Sequence, residues 1–505
     1  MGHLVTLPIL LPMLGAILAL LPPCGKNVKI RRMVSQAFAF FTLVASLILL
    51  NHSASNNIEV YAVGNWNAPF GIVLVSDMLS TLLISLTSFL ALCCIFYASA
   101  GDDEKGSFFH PLMHFLVMGV NGAFLTGDLF NLFVFFEVLL IASYSLLMHA
   151  GDKHKTRSAL HYVILNLIGS SIFLIGLGVL YGVLGTLNIA DMAVKVSQLT
   201  GDDVALAKIG GLLLLIVFGL KAAILPLHLW LPKTYSSALP VIAAMFAIMT
   251  KVGVYAMFRV YTIIFGEQAG ELAFMAQSWL WPLAILTIAI GAIGVLASED
   301  LRKLTANLVI ISVGTLVAAI SMHSVMATAA ALYYVIHSTL MIAALFLLAD
   351  LISVQRGKVS DRLVEGRPVA QPYILGGGFL IAALAVMGMP PMSGFIGKIW
   401  LLKASSEING TYIFWPVYLI ASFVVLIALS RAGSYLFWRH SNNEATKEIA
   451  APLKTNVIIA LLLCSPLMVI FSGPISDFTL AAAKQLHDVT NHVNTVLAIS
   501  NHGAK

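Results

Sequence analysis

This sequence is short of charge. Only 10% of its 505 residues are Asp, Glu, Lys or Arg, against roughly 25% in a soluble globular protein. With a mean hydropathy of +0.95, that scarcity excludes a fold whose solvent is water. Cysteine is also sparse: Cys24, Cys93, Cys94 and Cys464 show no Cys-x-x-Cys spacing. A disulfide framework, a zinc site and an iron–sulfur centre are therefore not expected. The sequence has no Gly-rich phosphate loop, no His-Glu-x-x-His and no nucleophile elbow. No metal, no cofactor and no enzymatic chemistry are expected. The formal charge of +5 does not point to nucleic acid, because the basic residues sort by loop.

Long apolar runs fill the space that charge leaves. A spanning helix needs about 20 apolar residues, and about fourteen such runs lie between Leu4 and Phe471. They predict an all-α polytopic membrane protein with no soluble domain. The first run has no basic leader and no small-residue exit, so it reads as span 1 and not as a cleaved signal. Lys and Arg favour cytoplasmic loops. Arg31, Arg32, Arg302, Lys303, Arg356, Lys358, Arg362, Arg367, Arg431, Arg439 and Lys454 fall in loops of one side, and residues 51–72 contain no Lys or Arg. This places both termini in the periplasm of a bacterial inner membrane.

A charge at the bilayer centre costs several kcal/mol, about 2.5–3.5 on the mildest scale, so intramembrane ionisable residues are the functional candidates. Glu137 lies in FNLFVFFEVLLIASYSL, about 12 Å into its helix. Lys221 precedes Pro226, which breaks the helix ladder, and broken helices at membrane depth line polar cavities or are buried in protein. Lys251 shares a helix face with Tyr255, and His337 sits beside Ser338 and Thr339. Lys398 follows Pro390 and Pro391 in AVMGMPPMSGFIGKIWLL. Paired Gly/Pro interruptions in two halves point to a transport site between repeats. His228, after the first break, is a candidate for hydrating it. Arg259 needs no more than a structural pair or snorkelling. His110, His114, His149 and His161 lie near run ends and read as interfacial, and Asp77 and Asp350 read as structural.

Burial disfavours a charged lysine and a nearby carboxylate favours it, so a mixed row can pass protons. If Glu137 swings toward Lys221, the lysine keeps its proton. If it swings away, the proton is pushed toward Lys251 or His337.

The segments GDLFNLFVFFEVLLIASYSLL (Gly127–Leu147), GLKAAILPLHLWLPKTY (Gly219–Tyr235), MTKVGVYAMFRV (Met249–Val260), SEDLRKL (Ser298–Leu304) and MPPMSGFIGKIWLL (Met389–Leu402) resemble the antiporter-like subunits shared by Mrp/Pha cation–proton antiporters and respiratory complex I. TKVGVYAMFR and SGFIGK are most similar to the D-type component of the Mrp/Pha system. The resemblance implies fourteen spans with two inverted five-helix repeats, spans 4–8 and 9–13, and broken spans 7 and 12. The expected division is 1–107 for spans 1–3, 108–264 and 278–436 for the repeats, and 453–505 for span 14 and a short periplasmic tail. It implies proton translocation through Glu137, Lys221, Lys251, His337 and Lys398. It also implies exchange of Na⁺ or K⁺ for H⁺ in support of pH homeostasis, and the A-, B-, C-, E-, F- and G-type Mrp/Pha components as partners. The alternative is a proton-pumping membrane subunit of a complex I-like or hydrogenase redox complex. Lys233 and Leu239 depart from the family pattern outside the charge row.

Overall fold

The computed structural model describes residues 2–502 apart from 56, 107, 150–152, 407–409, 440, 442–443 and 447. In lipid every backbone N–H and C=O must be satisfied within the protein, and the helix is the local way to do it. The chain opens with α1 (Leu7–Leu20), α2 (Val28–Ser53) and α3 (Met78–Ala98). An antiparallel hairpin of β1 (Glu59–Ala62) and β2 (Val73–Ser76) joins the last two, with Glu59 opposite Ser76.

A first group of spans follows: α4 (Phe109–Leu125), α5 (Leu129–Met148) and α6 (Lys153–Leu184). After a short α7 (Ile189–Val196) come α8 (Asp202–Ala222), α9 (Trp230–Ser237) and α10 (Pro240–Arg259). A second group comprises α11 (Gln277–Ala297), α12 (Leu301–Ser321), α13 (Val325–Arg356), α14 (Pro372–Met387), α15 (Ser393–Ser405) and α16 (Thr411–Gly433). The chain closes with α17 (Pro452–Ile470), α18 (Ser472–His487) and α19 (Val489–His502). Among the described residues twelve helical stretches are long and apolar enough to cross a membrane, and α4 and α14 are shorter apolar helices. The segment after α17, expected as a tail, forms two further helices that pack against α13 and α7.

The two groups share a backbone device. Asp128 caps α5 by accepting from the Phe130 and Asn131 amides, and Asp300 caps α12 by accepting from the Lys303 amide. Beside the first cap, Leu129 N–H bonds Leu187 C=O and Ile189 N–H bonds Gly127 C=O. Beside the second, Leu301 N–H bonds Asp361 C=O and Leu363 N–H bonds Glu299 C=O.

Spans 7 and 12 are both broken, and in the same way. α8 ends with Ala223 at φ +63 and α14 with Gly388 at φ +78. In the first break Ile224 N–H reaches Gly219 C=O and Ala223 N–H reaches Leu220 C=O. In the second Met389 N–H reaches Leu384 C=O and Gly388 N–H reaches Ala385 C=O. Both are left-handed C-terminal caps that satisfy carbonyls a helix end leaves open. Pro226 and Pro391 each lie three residues beyond the left-handed residue, where they cannot continue the helix. The apolar stretch 372–403, read as one run, is therefore two helices.

α10 is buried along its whole length, and α12 and α13 nearly so. They form the centre, while α2, α6 and α16 present apolar side chains such as Phe41, Ile164 and Phe423 outward.

Candidate functional site

The five ionisable residues that stand out in the sequence lie on α5, α8, α10, α13 and α15. Lys221, Lys251 and His337 are buried at 6%, 1% and 2% exposure, and Glu137 and Lys398 are half-buried.

Glu137 and Lys221 do not form an ion pair. α6 stands between them: Ser170 donates its hydroxyl hydrogen bond to Glu137 Oε1, and Lys221 Nζ donates to Asn166 Oδ1 at 3.0 Å. The Phe136 ring centroid lies 5.8 Å from the ammonium. Asn166 and Ser170 are one helical turn apart and share a face. One turn of α6 thus holds the acid at one level and the lysine at the next. Neither Asn166 nor Ser170 is among the residues expected from the sequence, although a polar pair four residues apart inside the run YVILNLIGSSIF is a readable signal.

Lys251 does not turn to Tyr255. Its Nζ donates to Ser312 Oγ at 2.9 Å. Tyr255 instead donates to Phe124 C=O at 2.5 Å and accepts from Arg259 Nε at 2.9 Å. Arg259 is neither at the surface nor snorkelling; at 3% exposure it pairs with Asp77 at 2.5 Å. Burial alone would raise the Asp77 carboxyl, but the adjacent Arg259 guanidinium outweighs it and holds the group below the ordinary carboxylate value. Asp77 also caps α3 through the Ser80 amide.

Ser312, His337, Ser338, Lys398 and Ser422 line one small cavity of about 20 Å³. A space of that size holds about one water, and its polar wall supplies the partners a buried water requires. Lys398 Nζ donates to Met387 C=O at 2.8 Å and to Ser422 Oγ at 3.0 Å. Met387 is the last residue of α14, so the break itself provides an acceptor for the lysine. A Cβ on Gly388 would stand 2.6 Å from Lys398 Cδ, which is why this position has none. His337 Nδ1 meets Ser393 Oγ at 2.8 Å, and Ser393 Oγ meets Ser465 Oγ at 2.9 Å. The Tyr334 ring lies beside His337, with centroids 5.9 Å apart. The expected support from Thr339 is not seen: it does not line the cavity, and its buried hydroxyl has no hydrogen-bond partner among the described residues. His228 is half-exposed beyond the first break and belongs to neither cluster.

The site is therefore two polar clusters. The first joins Glu137, Ser170, Asn166 and Lys221. The second joins Lys251, Ser312, His337 and Lys398 around the small cavity. Among the described residues no hydrogen bond or ion pair links Lys221 to Lys251.

His110 and His114, expected at the interface because they lie near a run end, are covered by protein at 0% and 1% exposure. They bond to Ser35 and lie outside both clusters.

Two five-span groups, each holding a broken helix with a lysine inside the bundle, define an antiporter-like membrane protein. The chain belongs to the NADH:quinone oxidoreductase/Mrp antiporter transmembrane family, whose model matches residues 126–433. It is 37% identical over 541 residues to a Rhizobium meliloti (strain 1021) protein named as the D component of a probable K⁺/H⁺ antiporter, covering 100% of this chain and 99% of that one. It is 35% identical over 504 residues to the D component of the Na⁺/H⁺ antiporter of Alkalihalophilus pseudofirmus, covering 98% and 100%. The fold matches a chain of the Mrp complex from Dietzia sp. DQ12-45-1b with a TM-score of 0.86 and 25% identity, covering 98% of this chain and 100% of that one. A chain of Thermus thermophilus respiratory complex I shares the fold at a TM-score of 0.79 and 23% identity, covering 95% and 99%.

Proposed function

We propose that this chain is the D-type component of a multisubunit Na⁺(K⁺)/H⁺ antiporter, and that it carries protons through Glu137, Lys221, Lys251, His337 and Lys398. The observation that carries the reading is the gathering of these five groups into two polar clusters within an apolar bundle, each cluster holding a lysine that belongs to a broken span. Intramembrane ionisable residues are retained for pairing or for ion movement, and among the described residues no ion pair involves Lys221, Lys251 or Lys398. The Ser170–Glu137 and Asn166–Lys221 hydrogen bonds hold acid and base close but unpaired. Moving Glu137 from Ser170 toward Lys221 favours the charged lysine, and its return favours proton release. A proton that reaches Lys251 meets Ser312 and the one-water cavity beside His337 and Lys398. Each proton crossing the membrane exchanges about 2.3 kcal/mol per 100 mV, which is enough to drive cation efflux.

The excess of Lys and Arg around Arg31 and Arg32, in the turn before α4 and in the 356–367 loop supports a cytoplasmic location for these segments, with both termini in the periplasm of a bacterial inner membrane. The partners are the other Mrp/Pha components, of the A, B, C, E, F and G types. The redox-complex alternative has the shared fold in its favour, but the whole-length relatives at 35–38% identity are named as antiporter components.

The test is cation-dependent proton flux in everted vesicles carrying the whole complex, with Lys221→Ala and Glu137→Gln compared with the parent at equal assembly. Removing groups that transfer protons lowers flux by about a hundredfold or more. Parent-like flux in both variants would reduce the row to a structural network and move transport to another component of the complex.

A further inference from the structure

A second set of ionisable side chains lies well apart from the row, in the part of the chain that precedes residue 126. His110 and His114 are four residues apart on α4 and share a face. Both rings meet the hydroxyl of Ser35 on α2: His110 Nδ1 at 2.9 Å and His114 Nε2 at 2.9 Å. His110 Nε2 meets Asp103 Oδ2 at 3.0 Å. Arg32 clamps the same carboxylate, Nε to Oδ2 at 2.7 Å and Nη2 to Oδ1 at 2.6 Å, and its Nη2 also reaches Glu104 Oε1 at 2.6 Å. Ser35, Asp103, His110 and His114 are all buried, whereas the Glu104 side chain is 57% exposed.

We propose that His114, Ser35, His110 and Asp103 form a proton-conducting site, separate from the charge row, that opens on the cytoplasmic face at Glu104. The inference rests on the reading of this chain as a proton carrier.

Hydrogen-bond inventory fixes the polarity of the relay. Burial opposes the Asp103 charge, but the hydrogen bonds from Arg32 and His110 outweigh it and hold the carboxyl well below the usual range. An ionised carboxylate only accepts, so His110 Nε2 carries hydrogen and donates to it. In neutral His110, Nδ1 is then the acceptor, and the Ser35 hydroxyl donates to it. The serine oxygen has lone pairs left, so His114 Nε2–H donates to that oxygen. Every donor points toward Asp103.

A proton arriving at His114 Nδ1 can then move through the relay by shifts within existing hydrogen bonds. The Nε2 proton of His114 passes to Ser35, the serine proton passes to His110 Nδ1, and the Nε2 proton of His110 passes to Asp103. One proton enters and one arrives at the carboxylate, and each imidazole ends neutral in its other tautomer. Asp103, held as a weak base, gives the proton on toward Glu104 and water. Reorientation of the serine hydroxyl and rotation of each imidazole ring, which move no net proton, reset the relay. This polarity carries protons from the membrane toward the cytoplasm, the direction that drives cation efflux.

The ligand is a proton and not the exchanged cation. The Arg32 guanidinium already occupies the carboxylate, and Arg31 on α2 and Lys105 in the turn add positive charge. The further ionisable neighbours include Asp102 in the turn, which pairs with Lys105 and with Lys454 of α17, and His149 at the end of α5, whose ring packs on Phe109. α1 supplies none among its described residues. A pair of interhelical hydrogen bonds would serve packing equally well, and glutamine separates the two roles. It keeps a side-chain donor and acceptor but cannot be protonated as imidazole is.

The experiment measures cation-dependent proton flux per assembled complex in everted vesicles, whose outer medium is the cytoplasmic side, across a range of outer pH. The variants are His114→Gln, Ser35→Ala and Ser35→Thr, with Lys221→Ala in parallel. His114→Gln and Ser35→Ala should lower flux by about tenfold or more and flatten its dependence on outer pH, and Ser35→Thr should restore both. Parent-like flux and pH profile in assembled His114→Gln, with flux lost in Lys221→Ala, would overturn this site while leaving the charge row standing. Parent-like flux in both would overturn both.

Discussion

At the first break the carbonyl of Leu220 accepts from the Trp230 indole at 3.1 Å. At the second, the equivalent carbonyl of Ala385 is met by the backbone of Gly394, where a Cβ would lie 2.0 Å from its oxygen. The backbone caps are the same, but the lysines are not in the same place. Lys221 lies two residues before the left-handed residue of its break, on α8, and Lys398 lies ten residues after, on α15. Val386 occupies the position that matches Lys221, and Lys233 the position that matches Lys398. The acid differs too: counted from the capping aspartates, Glu137 in the first group corresponds to Val309 in the second. The first break thus holds its lysine against an amide and near a carboxylate. The second holds its lysine against the carbonyl that the break leaves open. One backbone device has been fitted with two kinds of lysine environment, one near a carboxylate and one at the helix end itself.

The largest effect is expected where the second break has no slack. Gly394→Ala would place a methyl against the Ala385 carbonyl and 2.9 Å from the His337 ring. Displacing α15 misplaces Lys398, and flux should fall by about a hundredfold in vesicles with assembled complex. The conservative change at the first break, Trp230→Phe, removes one hydrogen bond and should cost about 1 kcal/mol of stability with much smaller loss of flux. Equal losses in the two variants would erase the distinction between the breaks.

Next come the lysine partners. Asn166→Leu removes the hydrogen-bonding side chain that Lys221 uses and leaves a buried ammonium without it, at a cost of about 1.5–3 kcal/mol. Ser422→Ala should do less, because Met387 C=O still accepts from Lys398. Proton flux per complex should therefore fall further in Asn166→Leu. The reverse order would mean that the helix-end carbonyl contributes little.

A smaller effect separates the left-handed residues. Ala223→Gly relieves a conformation that costs a non-glycine residue about 1–2 kcal/mol and should raise the melting temperature of the purified complex. Gly388→Ala should lower it, the more so because the new Cβ meets the Lys398 stem.

The smallest effect concerns α18 and α19, the C-terminal helices that touch both groups. His492 on α19 is held down to about 4 by burial and by the nearby Arg259, with Asp77 opposing. His323, before α13, is held down to about 4 by burial and by His487, and His487 itself meets Thr328 at 3.0 Å and lies near Glu267. The folded values lie below the ordinary 6.5, so the unfolded state binds more protons between about pH 4 and pH 6.5. Their contribution to stability is present above that window and is lost as pH falls through it. Protection factors in α18 and α19, which are the intrinsic amide rate at each pH divided by the exchange rate, should fall at pH 5 relative to pH 7.5, with no such change in α10. Unchanged protection factors would mean that neither histidine is held neutral by the fold.

Much of this is legible in the sequence because membrane cost is local. Glu137, Lys221, Lys251, His337 and Lys398 each stand out from an apolar run, and Pro226 and Pro390-Pro391 mark the two breaks without reference to anything distant. What is not legible depends on neighbours across helices. Asn166, Ser170, Ser312 and Ser422 are ordinary in a spanning helix, where their hydroxyls and amides can bond the preceding turn, and only the fold aims them at a charge. Tyr255 reads as a partner of Lys251 because four residues separate them, but Arg259, four further on, competes for it and wins through its pair with Asp77. His110 and His114 read as interfacial from their nearness to a run end. Depth along one helix says nothing of what packs beside it, and here α2 covers them.

The single turn of α6 between Asn166 and Ser170 has a mechanical meaning. Both hydrogen bonds are mounted on one rigid shaft, about 6 Å apart along its axis. Rotating or sliding that shaft moves the seat of the carboxylate and the seat of the ammonium together, by the same angle and the same distance. The acid and the base of the first cluster are thereby geared to each other without touching.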